Sequence, residues 1–146
     1  MPLEGEYAPS TSSWARTQAE AFEASNGAKS NTLQGKPIVV VTNVGARSSK
    51  LHKTALMRVE RDGEYAVVGS KGGSREHPRW VFNLRAHPHV ELQDGAEKHD
   101  YEARETSGPE RDLWWERALE VWPAYADYQK KTDRVIPVFV LTRIAL

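Results

Sequence analysis

Residues 55–73, ALMRVERDGEYAVVGSKGG, join a hairpin signal to a turn that can receive an anion. Strand-like runs at residues 55–61 and 64–70 flank Asp62-Gly63. Asp-Gly between two such runs is the strongest short-range hairpin signal, because both residues tolerate the positive φ of a type I′ turn. The second run ends in Gly69-Ser70-Lys71-Gly72-Gly73, ahead of a short helix expected over residues 78–86. Glycines let the backbone bring several N–H groups onto one anion, while Ser70 adds a hydroxyl and Lys71 a charge. A plain tight turn uses the same residues, and this stretch alone does not choose between the two.

The flanking sequence supplies the rest of a sheet. Ile38-Val39-Val40-Val41-Thr42 is continuous and β-branched, the pattern of a buried strand, and a loop is expected at residues 43–53. A second hairpin is expected from residues 90–93 and 98–105 around Asp94-Gly95, and a last strand at 138–141. Helices are expected from Ser12 or Ser13 to Asn26-Gly27, over 78–86, and from Ser107-Gly108-Pro109-Glu110 to Trp122-Pro123. Two antiparallel hairpins with flanking strands and interspersed helices predict an α+β chain built on a small closed or split β-barrel. Residues 1–12 hold two prolines, several Ser/Thr and no apolar period, so they are expected to form a flexible arm; 13–146 then make one domain that includes the N-terminal helix at 13–26. On that helix Trp14, Gln18 and Phe22 share a face, which can cover a sheet edge, act as a lid or meet a lipid surface.

Composition narrows the function classes. A chain of 146 residues with 39% hydrophobic content can bury a core without staples. The absence of cysteine removes disulfides, thiol nucleophiles and thiolate metal sites, and suits a cytoplasmic location. Twenty basic residues balance twenty acidic ones, so the positive field of a nucleic-acid binder is missing and no nucleic-acid partner is expected. No run approaches a membrane span, although peripheral placement at the inner face of the plasma membrane, through the N-terminal helix, stays open. His87 and His89 flank Pro88 without a third ligand, so no metal is expected. No Ser/His/Asp order or carboxylate pair has catalytic spacing.

Two further clusters carry chemistry. The segment from Gly45 to Lys53 gathers Arg47, Lys50 and Lys53 with Ser48, Ser49 and His52. In an antiparallel meander it can reach the barrel end that holds Lys71, making a two-sided clamp for a phosphate or an anionic tail; a solvated loop is the bland alternative. Trp122, Tyr125 and Tyr128 repeat at spacing three. They are either core or an aromatic wall with polar tips suited to a flat ring, and the Asp, Gln and Lys around the tyrosines argue against all-apolar burial. Trp80 and Phe82 can extend such a wall, and Asp133-Arg134 is expected to be a local ion pair that positions the last strand.

These residues also carry a resemblance. Thr42-Asn43-Val44-Gly45-Ala46-Arg47-Ser48, Ser70-Lys71-Gly72-Gly73, His77-Pro78, Trp80, Asn83-Leu84, Tyr125-Ala126-Asp127-Tyr128-Gln129, Thr132-Asp133-Arg134 and Ile136-Pro137-Val138 occur in an order and spacing that resembles the deazaflavin-dependent nitroreductase family, over about residues 35–142. The resemblance implies an FMN-binding-like split β-barrel that binds reduced coenzyme F420. It implies coenzyme contacts at Arg47, Ser48, His52, Val68, Gly69, Ser70, Lys71, Gly72, Gly73, Trp80 and Asn83. Ser70, Tyr125 and Tyr128 would be catalytic, and Met57 and Trp122 would join the two tyrosines in a substrate pocket. Relatives that reduce nitroimidazoles carry tyrosine in place of Trp122 and Met57, and commonly glycine, arginine and proline in place of Ser49, His52 and Ala55; these departures bear on the acceptor more than on the coenzyme. The implied reaction is hydride transfer from reduced coenzyme F420 to a small-molecule acceptor such as a quinone, enone or nitroaromatic, with menaquinone a candidate. A Ser70 or Tyr125 hydroxyl would stabilise charge on the acceptor oxygen. A non-catalytic coenzyme carrier and an FMN- or haem-binding barrel are the alternatives.

Overall fold

The computed structural model describes residue 3 and residues 5–144; the ends of the expected arm and domain, at residues 1, 2, 4, 145 and 146, lie outside the described residues. In chain order the elements are α1 (Ser13–Ala24), β1 (Thr32–Leu33), β2 (Lys36–Val44), β3 (Leu51–Met57), β4 (Val59–Arg61), β5 (Glu64–Val68), a 3-10 turn (Lys71–Gly73), α2 (Arg79–Ala86), β6 (His89–Asp94), β7 (Glu97–Glu105), α3 (Gly108–Val121), α4 (Ala124–Lys130) and β8 (Val138–Arg143).

All pairings among the named strands are antiparallel, in the order β1-β2-β6-β7-β8-β5-β4, with β3 also on β2. Asp62 and Gly63 both take positive φ, 53° and 83°, between Arg61 and Glu64, which pair across the turn. The expected single run over residues 55–61 is nevertheless two strands. Residues 51–57 pair with β2 and only 59–61 pair with β5, so the chain changes partner at Arg58. The two flanks of the sheet are therefore one bent segment, and the sheet curls back on itself. Arg58 is fastened at the bend: its Nε donates to Asp94 Oδ2 at 2.9 Å, and the Tyr65 hydroxyl donates to the same oxygen at 2.5 Å.

Strand alternation sorts the apolar residues into an interior and two outer layers. Val39, Val41, Val67, Val90, Leu92 and Phe139 face inward, where α2 inserts Trp80, Val81 and Leu84. On the outside of β2, Ile38 and Val40 meet Ala19 and Phe22 of α1. β2 is thus buried on both faces, which explains its unbroken apolar run. On the outside of β5 and β8, Ala66, Val68, Val138 and Val140 meet Trp114, Ala118 and Tyr125 of α3 and α4. Each large side chain so buried stabilises the fold by about 1.5–3 kcal/mol.

Ser12 caps α1, its Oγ accepting from the Ala15 N–H at 3.3 Å. Gln18 and Phe22 are buried as their shared face predicts, but Trp14 in the first turn stays 62% exposed. Residues 6–8, where composition predicts mobility, run along β3: Leu51 N–H donates to Glu6 O and Ala8 N–H to Leu51 O, both at 2.8 Å. Among the described residues no helix is long and apolar enough to cross a membrane.

Candidate functional site

The Gly-rich turn leaves β5 and is fixed at each end by a missing side chain. A Cβ on Gly69 would lie 2.7 Å from Val81 Cγ2 of α2, and one on Gly73 would lie 2.8 Å from Tyr128 O of α4. Between them Ser70 is right-handed helical (φ −76°, ψ −41°) while Lys71 and Gly72 take φ of 46° and 63°. A right-handed residue followed by a left-handed one turns successive N–H groups into one concavity, the backbone nest that holds anions. Gly73 N–H closes onto Ser70 O at 2.9 Å and Ser74 N–H onto Lys71 O at 3.1 Å.

Behind this turn stands Arg134. Its Nε donates to Ser74 O at 2.8 Å, Nη2 to Ser70 O at 2.7 Å, and Nη1 to Gly69 O at 3.0 Å; Nη1 also lies 2.9 Å from His77 Nδ1. The expected Asp133–Arg134 ion pair is replaced by these contacts, because a turn with left-handed residues leaves carbonyls that need donors. Burial, with Arg134 and Arg85 adding to it, holds the His77 imidazole below its ordinary value, which favours the neutral ring that can accept from Arg134.

The basic loop is narrower than expected, since β3 already begins at Leu51. Gly45 N–H donates to Lys50 O at 2.8 Å and Ser49 N–H to Gly45 O at 3.1 Å. A side chain on Gly45 would collide with Ser48 Oγ and with His52 Nε2, so glycine lets these two side chains gather over the backbone. Its three cations are not equivalent. Lys53 is held 2.6 Å from Glu23 of α1, and Lys50 lies 3.9 Å from Glu6. Arg47 is exposed and, like Lys71, has no carboxylate partner among the described residues.

Helix α2 ties loop and turn together. Asn83 Oδ1 accepts from Ala46 N–H at 2.9 Å and its Nδ2 donates to Asn43 Oδ1 at 2.8 Å, while Val81, two residues earlier, abuts Gly69. Ala46, next to Arg47 in the loop, and Gly69, at the start of the turn, thus lean on the same helix. Trp80 is placed otherwise: it is 7% exposed and packs edge-on against Phe139 in the barrel interior, 6.0 Å between ring centres. Val68 lies in the layer under α3 and α4.

That layer also assembles the aromatic residues. Met57 and Tyr125 are buried in it, with Trp115, Trp122 and Tyr128 packed at its partly exposed margin. Tyr125 sits 6.2 Å from the Trp115 ring and 6.1 Å, edge-on, from Tyr128, and Trp122 Nε1 donates to the Tyr128 hydroxyl at 3.3 Å. Polar neighbours in the sequence predict a less buried Tyr125 than is found. Of those neighbours Asp127 and Lys130 are exposed and Gln129 spends its amide on backbone groups of Arg134 and Ile136; burial, with Tyr128 contributing, pushes the Tyr125 phenol well above its ordinary value. The Tyr125 hydroxyl and Ser70 Oγ hydrogen-bond to no other described residue. Because Gly73 abuts Tyr128, the aromatic wall and the nest are neighbours. Phe82 instead turns outward, 48% exposed, with its ring 5.7 Å from that of His77.

Asn43, His77 and Arg134 are the site residues whose roles the sequence does not disclose. Asn43 is wholly buried at the end of an apolar strand, and a polar residue closing such a run is the one local signal that marks a built hydrogen-bond network. Among the described residues no group of His, Asp and Glu could hold a metal ion.

The sequence matches the family described as F420H(2)-dependent quinone reductase over residues 14–143. It is 34% identical over 127 residues to an F420H(2)-dependent quinone reductase of Mycobacterium tuberculosis (strain H37Rv), spanning 84% of this chain and 85% of that one. Among solved structures, an F420-H2 dependent reductase is 53% identical with a TM-score of 0.69, covering 72% of this chain and 93% of the other. A haem storage protein of Vibrio cholerae, at 16% identity and a TM-score of 0.56, covers 77% of this chain and 85% of its own, and shares the fold alone.

Proposed function

Because this chain belongs to the F420H(2)-dependent quinone reductase family, we propose that its Gly-rich turn and basic loop hold the acidic part of reduced coenzyme F420 while the aromatic layer of α3 and α4 receives the acceptor. Membership makes the chain a reductase dependent on reduced coenzyme F420, with the split barrel of that family. The observation that carries the residue assignment is the nest at Ser70–Gly72, which includes Lys71, with Arg47 on the loop that α2 ties down; no described carboxylate neutralises either cation.

The residues fit the coenzyme's chemistry. A phosphate and carboxylate tail needs N–H donors and positive charge that are not already spent, and the nest, Lys71 and Arg47 supply both. Ser48 and His52 sit on the basic side, and Gly69 to Gly73 on the other. Trp80 and Asn83 support these contacts from behind, as core and as loop anchor, and Val68 carries the turn from the layer beneath. When bound, the reduced deazaflavin supplies a hydride.

The chain's own part is placement and proton control. Met57, Trp122 and Tyr128 exclude water from the acceptor and give it a flat face. Tyr125 is kept protonated by its burial, so its unpartnered hydroxyl can donate to an oxygen that gains negative charge during reduction. Ser70 Oγ is a second donor on the coenzyme side, and Tyr128 orients the wall through Trp122. The substrate class is a quinone, menaquinone being the specific candidate, with enones and nitroaromatics as the other electron-poor acceptors the reading covers. The exposed Trp14 on α1 supports a peripheral contact with the inner face of the plasma membrane, where a lipid-soluble quinone resides.

The test is to titrate reduced coenzyme F420 and then follow its reoxidation by a menaquinone analogue, free and in lipid vesicles. Tyr125→Phe is expected to lower turnover by about 10- to 100-fold with coenzyme Kd little changed. Lys71→Ala is expected to raise that Kd by about tenfold with turnover at saturation little changed. Equal effects of both variants on both constants would sink this division of roles, and equal rates with free and vesicle-bound quinone would remove the membrane contact.

A further inference from the structure

We propose that Arg134 is a positioning residue that keeps the Gly-rich turn open to an anion and thereby sets coenzyme affinity rather than turnover; this rests on the assignment of the turn to the coenzyme. Arg134 lies sixty to sixty-five residues from these positions in sequence, yet its guanidinium takes three of the turn's carbonyls, those of Gly69, Ser70 and Ser74, at 2.7–3.0 Å. The peptide geometry makes this consequential. The described peptide bonds are all trans, so the C=O and N–H of one peptide plane point in opposite directions. Fixing the carbonyls of Gly69 and Ser70 on Arg134 therefore aims the N–H groups of Ser70 and Lys71, which share those planes, away from Arg134 and into the nest.

Guanidinium is suited to this task and ammonium is not. Its five donors form a rigid planar fork that can serve several acceptors spread along a backbone, whereas a lysine ammonium is a point. The fork is itself held from both sides. Gln129 of α4 donates to Arg134 O at 2.7 Å and accepts from Ile136 N–H at 3.0 Å, fixing the backbone that carries the side chain. His77 Nδ1 takes the remaining direction of Nη1 at 2.9 Å. No described carboxylate pairs with Arg134, so the positive charge faces only backbone carbonyls and a ring nitrogen, the pattern of a brace and not of an ion pair.

Arg134→Lys keeps the charge and removes the fork. In coenzyme-free protein, amide exchange in a peptide covering residues 69–76 is expected to speed up at least tenfold while one covering 38–42 is unchanged. Coenzyme F420 Kd is expected to rise at least tenfold, with kcat at saturating coenzyme within twofold of the parent. Guanidinium added to Arg134→Ala is expected to restore part of the affinity, and His77→Ala, which removes one acceptor and leaves three, is expected to change exchange and Kd in the same direction by less. Unchanged exchange in Arg134→Lys, in a protein whose parent binds the coenzyme, would overturn the brace alone. Faster exchange with unchanged Kd, or a fall in kcat without a change in Kd, would overturn its role in affinity. A parent protein that binds no coenzyme would overturn the coenzyme assignment itself, and the affinity role with it, while the exchange comparison still decides the brace.

Discussion

The two sides of the proposed clamp are built on opposite principles. The Gly-rich turn is made of backbone held from behind: Arg134 takes its carbonyls, Val81 closes on Gly69, and α4 closes on Gly73. The basic loop presents exposed side chains at residues 46–50, on a backbone that the hydrogen bond from Ala46 N–H to Asn83 ties to α2. One side is preorganised and supplies direction; the other is adaptable and supplies charge. The difference teaches why the glycines and Arg47 are not equivalent parts of one positive patch. Directional N–H groups lose their value when the backbone shifts by a fraction of an ångström, whereas a long cation follows its ligand.

The contrast breaks most visibly at Gly73. Gly73→Ala combines a φ of 85° with a Cβ 2.8 Å from Tyr128 O, a backbone atom that cannot swing aside, and is expected to cost about 3 kcal/mol or more. Gly72→Ala meets no atom within 4 Å and carries only the left-handed penalty of about 1 kcal/mol. Urea denaturation of the two variants measures the gap, and equal midpoints would mean that α4 does not clamp the turn.

A smaller effect is expected on the loop side. Asn83→Ala strands the Ala46 N–H and leaves Asn43, wholly buried, without its partner, at a cost of about 1–3 kcal/mol. Coenzyme Kd should change less than in Arg134→Lys, because the loop's cation can still reach its ligand. A larger loss of affinity in Asn83→Ala than in Arg134→Lys would reverse the comparison.

The smallest effect is pH dependence. His77 titrates below its ordinary value in the folded protein, so its contribution is fully present above about 6.5 and is lost as the pH falls through the lowered value. Arg134 and Arg85 oppose its protonation, and Glu105 favours it. Between neutral pH and pH 5.5 coenzyme affinity is expected to fall a few-fold, and His77→Ala should flatten that part of the profile; an unchanged profile would exclude His77 as the cause.

Legibility followed range along the chain. The Asp62-Gly63 hairpin, the Ser12 cap and the paired burial of Gln18 and Phe22 were readable because turn chemistry and helical period act between residues a few positions apart; the second hairpin forms one residue later than expected, with Asp94 paired to Glu97 and Gly95-Ala96 making the turn. The division of residues 55–61 at Arg58 was not, since nothing local says that residues 51–57 prefer β2 while 59–61 prefer β5. The burial of Tyr125 was missed because neighbours in sequence are not neighbours across a helix. Asp133 beside Arg134 suggested an ion pair for the same reason.

From residue types alone came a small mainly antiparallel barrel with helices on it, the absence of thiol chemistry, and the locations of a glycine turn, a basic loop and an aromatic segment. Folding decided where those residues stand. It withdrew Lys53 to Glu23 and Trp80 to the interior, joined loop and turn through α2, and set Arg134 behind carbonyls at positions 69, 70 and 74. The physical reason is that turns and periods are local energies written in adjacent side chains, whereas the partner of a buried donor is chosen by whichever distant carbonyl the packed chain leaves unpaired.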